Sequence, residues 1–207
     1  MLQPRLTTAQ RRIYNAALYL FAEKGSAQVT VSELADVAGV ARGTIYNHVD
    51  SVQSLFEDVA IHLADEMNQR ILSAFRLQPD PAAKLAAGIR CYIRRAHEEP
   101  AWGNFISRFG FSSVALRRLG SGAPVQILMD GIQRSQYRIR QDQLTAVITM
   151  TASSVLGAIY LVREGLRTWR DAGSDCAELI LRALGLPDDK ARELATAELL
   201  PLPEIRR

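Results

Sequence analysis

The chain has 207 residues, enough for one medium domain or two small ones, and 48% of them are apolar, enough for a sizeable core. Its net charge of +3 and pI of 9.1 are a mild basic bias, compatible with nucleic acid but lacking a polybasic arm. Two lone cysteines without C-x-x-C spacing argue against a disulfide scaffold, and three histidines without H-E-x-x-H, Glu-x-x-His pairs or a glycine-rich phosphate loop exclude the readable enzyme classes and leave no metal or cofactor to expect.

The opening MLQPRLTTAQRR lacks the apolar stretch of a signal peptide, so a reducing cytoplasm is the expected location. A first helix is predicted over residues 8–24, with Ile13, Ala17, Leu20 and Phe21 at helical spacing and Gly25 as its stop. The next stretch, TVSELADVAGVARGTIYNHVDSVQSL from Thr30 to Leu55, has the spacing of a helix-turn-helix. Thr30 and Glu33 form a capping box for the second helix. Ala35 is small where two helices must approach, Gly39 tolerates the positive φ of the turn, and Val40 and Ile45 are apolar pegs under the third helix, residues 42–48. Residues 1–50 carry Arg5, Arg11, Arg12, Lys24 and Arg42 against Glu23, Glu33, Asp36 and Asp50, so DNA affinity must come from charge placement rather than from amount.

Asp50 or Ser51 is expected to cap a long fourth helix, residues 52–75, with Gln53 reciprocating toward Asp50. Along it Leu55, Val59, Leu63, Met67, Ile71 and Phe75 step by four. Gln78-Pro79-Asp80-Pro81 breaks the chain before a fifth helix, residues 81–97, and Pro100 opens a short aromatic-rich sixth. A seventh follows Gly120-Ser121-Gly122 and runs past Ile132 toward Ile139. The eighth, residues 141–167, contains QLTAVITMTASSVLGAIYLV, twenty residues without charge. It is long enough for a membrane span, but its Thr and Ser content and missing aromatic belts favour a buried helix and no membrane partner. Asp171-Ala172-Gly173-Ser174 is read as a separator before a ninth helix, residues 175–184, and one or two further helical turns precede Pro201. The fold class is all-α: an N-terminal three-helix reader joined through a long fourth helix to a bundle of about six.

AALYLFAEKG, TVSELADVAGV and RGTIYNHV together resemble the TetR family of bacterial transcriptional regulators, over residues 13–55. The resemblance implies a DNA-binding domain at residues 1–52 and a ligand-binding, dimerising domain at 53–207. It implies a regulator, not an enzyme, that represses from a near-palindromic operator on double-stranded DNA. Arg42 then stands to take a guanine edge or a phosphate, Gly43 admits the backbone to the groove, and Thr44 and Asn47 face bases. Tyr46, with its ring partly in the core, and His48 clamp phosphates; Thr30, Ser32 and Ser51 add backbone contacts. Two positions depart from the family pattern: Val52 where a Lys usually meets a phosphate, and Ala41 where a Ser often caps the recognition helix.

A homodimer is expected through the uncharged eighth helix and the ninth, with Ala152, Ser153, Leu156, Gly157, Tyr160, Leu179, Ile180 and Ala183 at the interface; the other reading of the eighth helix is a core element. An effector, largely apolar and of unknown identity, is expected between helices four and eight, against His62, Tyr92, Trp102, Phe105, Phe109, Met129 and Ile132, although ordinary core has the same signature. The alternative function is a helical small-molecule binder that kept this fold and lost its operator.

Overall fold

The computed structural model describes residues 7–26, 28–113 and 122–203. The predicted turn at Gly120 and Ser121 lies outside the described residues. Among these are ten α-helices, one short 3-10 turn and no strand: α1 Thr8–Lys24, α2 Val31–Ala38, α3 Arg42–His48, α4 Val52–Ala74, α5 Pro81–Glu98, α6 Pro100–Phe109, α7 Ala123–Gln133, the turn Gln141–Gln143, α8 Leu144–Arg163, α9 Trp169–Ala183 and α10 Asp188–Thr196.

The first three helices form where their local chemistry requires. Thr7 and Gln10 close a capping box on α1, and Gly25 ends it in the left-handed region at φ 64°. α4 buries the expected stripe of Leu55, Val59, Leu63, Met67 and Ile71. Of the two expected caps the structure uses Ser51, and Ser54 reciprocates rather than Gln53, because a serine hydroxyl can both accept from and donate to backbone groups.

The predicted borders of α8 and α9 need correction. The chain makes a 3-10 turn at 141–143 before α8, which ends at Arg163, with Gly165 left-handed just beyond it. α9 begins at Trp169, capped by Thr168, so the supposed separator Asp171-Ala172-Gly173-Ser174 is helical. Gly173 there is a packing residue: its Cα faces Arg90 of α5, and a side chain would stand between the two most closely paired helices of the body. α7 stops at Gln133, with Ser135 at positive φ, so Ile139 packs from a loop.

α5 is the centre of the body, flanked by α6 to α10. Arg95, 4% exposed, is the one charged residue in its buried set among the described residues. Its guanidinium meets Glu66 of α4 and Glu99, both at 3.0 Å, and lies over the Trp102 ring at 4.7 Å. Arg70 of α4 reaches Glu99 at 3.2 Å and the Pro203 carbonyl at 3.2 Å. The buried charge is therefore matched and fixes the register of α4 against α5 and α6.

Candidate nucleic-acid interface

α2 and α3 hang from α1. Leu34 and Ala35 of α2 and Ile45 of α3 are buried against it. Gly39 turns the chain between them at φ 61°, and Ala41 leaves α3 without a side-chain cap, as its composition predicts. Arg12 of α1 donates to the Gly39 carbonyl at 2.7 Å, which holds the turn from behind. Lys24 at the end of α1 pairs with Glu33 of α2 at 2.5 Å, and the other Glu33 oxygen accepts from the Thr30 backbone N–H and hydroxyl, both at 2.9 Å. These bonds pull the Glu33 carboxyl down to about 2 from its ordinary 4.5, the Lys24 ammonium first among them. Arg12 was not legible in the sequence, since its partner lies 27 positions away and no local pattern marks it.

With Ile45 turned inward, α3 presents its other residues to solvent. Arg42, Gly43, Asn47 and His48 are exposed and Thr44 is half-buried. Tyr46 corrects an expectation. It is 69% exposed rather than partly in the core, because it directly follows the inward Ile45 and so points about 100° away from it round the helix axis. Thr30 and Ser51 stand exposed at the N-termini of α2 and α4, with Ser32 half-buried beside Thr30. One surface thus gathers a guanidinium, a phenol, an amide and an imidazole on a helix narrow enough for the major groove, with hydroxyls at two helix N-termini beside it.

The other expected residues are spread over several places. Tyr92 and Trp102 lie together, ring centroids 6.1 Å apart, and Met129 and Ile132 are half-buried on α7, which packs on α5. Phe105 and Phe109 instead join Phe56 of α4, at 5.4 and 4.9 Å, and Phe105 also reaches Phe21 of α1. His62 stands edge-on to Tyr14 of α1 at 5.8 Å. On α8 and α9, Ser153, Gly157, Tyr160, Leu179 and Ala183 are exposed and Ala152 is half-buried. Ile180 is 3% exposed within its own protomer, and Leu156 packs on Gly110. A 400 Å³ groove runs between these two helices, past Gly157, Leu161, Cys176 and Leu179. Burial pushes the Cys91 and Cys176 thiols up to about 12, so neither is a reactive nucleophile.

An exposed recognition helix on a three-helix head, carried by an all-helical body, defines a helix-turn-helix transcriptional regulator. Residues 13–59 match the model for bacterial regulatory proteins of the tetR family, and residues 80–197 match that for the tetracyclin repressor-like C-terminal domain. The chain belongs to the TetR family and combines a DNA-binding head with a ligand-binding domain. An uncharacterized HTH-type transcriptional regulator of Mycobacterium tuberculosis is 28% identical over 97 residues, 47% of this chain and 48% of that protein, so the chain spans about half the length of that relative. The HTH-type transcriptional repressor KstR2 of Rhodococcus jostii is 34% identical over 55 residues, 27% of each chain. Among solved structures, RolR in complex with resorcinol superposes with a TM-score of 0.72 at 27% identity, covering 95% of this chain and 96% of RolR.

Proposed function

We propose that this protein is a cytoplasmic, effector-responsive repressor that binds a near-palindromic operator as a homodimer. Residues 1–52 form its reader and residues 53–207 its effector-binding and dimerising part. The observation that carries this reading is the open face of α8. The helix is long and apolar enough to cross a membrane, yet only 28% of its most apolar window is buried within the protomer. Met150, Tyr160 and Leu161, with Leu179 from α9, lie outward. Two hydroxyls of that helix are bonded internally: Thr149 donates to the Thr145 carbonyl at 2.9 Å and Ser153 to the Thr149 carbonyl at 2.8 Å. A second copy presenting the same two helices covers the face about a two-fold axis, with Thr149 and Ser153 already satisfied.

On the reader, Arg42, Thr44 and Asn47 contact base edges, Gly43 admits the backbone, and Tyr46, His48, Thr30, Ser32 and Ser51 hold phosphates. The effector enters among α5 to α8 near Tyr92 and Trp102, with Met129 and Ile132 as the α7 wall. That RolR was solved in complex with resorcinol supports a small-molecule effector for this chain. Effector binding shifts α6 against α1 and α4 and changes the spacing of the two recognition helices.

Sedimentation of the purified chain and recovery of bound fragments from sheared DNA of its own genome test the proposal together. A dimer that enriches one inverted repeat, lost at raised salt, supports it. A monomer, or no enriched repeat, removes it.

A further inference from the structure

Five buried polar side-chain atoms have no hydrogen-bond partner among the described residues: Tyr92 Oη, Trp102 Nε1, Ser107 Oγ, Tyr137 Oη and Thr151 Oγ1. All five lie on the stretch from α5 to α8. Among the described residues none belongs to the reader, to α4, or to α9 and α10. Protein interiors satisfy nearly all such atoms, so five on this one stretch of the chain, with Tyr92 and Trp102 side by side, point to a binding partner with polar atoms of its own.

Resting on the effector reading above, we infer that the effector is a compact, neutral molecule with hydrogen-bonding oxygens on more than one edge. Trp102, 1% exposed, offers only an N–H, so the effector brings an acceptor to it. The Tyr92 ring stands 6.1 Å from the Trp102 ring, and its hydroxyl donates or accepts. Thr151, 8% exposed, carries a second hydroxyl on α8, which packs against both α5 and α6. A long acyl chain carries its polar group at one end and leaves the other atoms unmatched; a hydrocarbon matches none.

Charge narrows the class further. Arg95 is the one charged residue in the buried set among the described residues, and each of its guanidinium nitrogens is engaged, by Glu66, Glu99 or the Met67 sulfur. The guanidinium also covers a face of the Trp102 ring. A carboxylate effector would shed water for a site whose buried cation is already neutralised, which disfavours the ion more than a hydroxyl.

Ligand-observed NMR on the full-length dimer, with resorcinol, benzoate and toluene at equal concentration, tests this on one ring bearing three kinds of substituent. Saturation transfer to resorcinol alone is expected. Trp102→Phe and Thr151→Val, which keep shape and remove the polar atom, should each weaken resorcinol about tenfold. Thr151→Val should also melt no lower than the parent, since it removes an unsatisfied hydroxyl. Benzoate or toluene binding as tightly as resorcinol overturns the neutral oxygenated class and leaves the effector site standing. Resorcinol binding unchanged by both substitutions overturns the assignment of these atoms. Silence from all three probes removes the site itself, while the dimer and operator are judged by the sedimentation and enrichment experiment.

Discussion

The guanidinium of Arg108 in α6 lies against Gly25, the left-handed residue that ends α1. A cation at that position faces the carbonyl end of α1, where the helix dipole favours it. Phe105, one turn earlier on α6, packs on Phe21 of α1 and Phe56 of α4. α6 therefore touches the reader directly as well as through α4. Arg108→Ala is expected to bind operator and effector with unchanged affinity while the effector releases operator less completely, as read by fluorescence anisotropy with labelled operator. Full release by this variant would leave α4 as the sole route.

Gly25 itself makes a separate prediction. An added Cβ would overlap the end of Arg108, but that end belongs to an exposed, flexible side chain and can swing aside. The positive φ cannot be relieved. Gly25→Ala should therefore lose about 1 kcal/mol in urea unfolding whether or not Arg108 is present, and Gly25→Asn less.

The recognition surface can be dismantled without touching the core. Arg42 and Asn47 are exposed and Ile45 alone holds α3 inward. Arg42→Ala and Asn47→Ala should each weaken operator binding by about 1–3 kcal/mol with no change in melting temperature. Tyr46→Ala with Asn47→Ala should abolish specific binding in a footprint while sedimentation still reports a dimer. Operator affinity retained by that double variant would sink the assignment of α3.

A single charge on the apolar face should separate the copies. Leu179 is 61% exposed and Tyr160 54%. Leu179→Glu or Tyr160→Glu is expected to sediment as a folded monomer and to lose the inverted repeat, since one reader contacts half of it.

Acid should loosen the joint between α1 and α2. The Glu33 carboxyl is held down at about 2, so its bonds to Lys24 and Thr30 contribute fully above the ordinary carboxylate range and fade as pH falls toward 2. Glu33→Gln should melt lower than the parent near neutrality, and the two curves should converge at the acid end. A difference independent of pH would mean the amide loses packing rather than charge.

The reader was legible almost to the residue because its determinants are local. A capping threonine, a glycine at the turn and one apolar peg set the limits of α2 and α3 within four-residue windows. The start of α9 was not legible. Gly173 reads as punctuation in a linear string but packs inside the helix against Arg90, more than eighty positions away. The exposure of Tyr46 likewise depends on which face of α3 turns toward α1, and that is set by Ile45. The polar atoms of Tyr92, Trp102 and Thr151 look like those of any core until the helices come together and leave them unmatched.

Arg12 on the Gly39 carbonyl and Lys24 on Glu33 tie three short helices into one piece. A head braced in this way has no reason to melt when the body shifts beneath it; it can only be carried. In the proposed dimer, the quantity an effector would alter is then the phasing of two intact heads along the double helix, not the grip of either one. A duplex carrying a single half-site should be blind to the effector, and inserting or deleting base pairs between half-sites should mimic what the small molecule does.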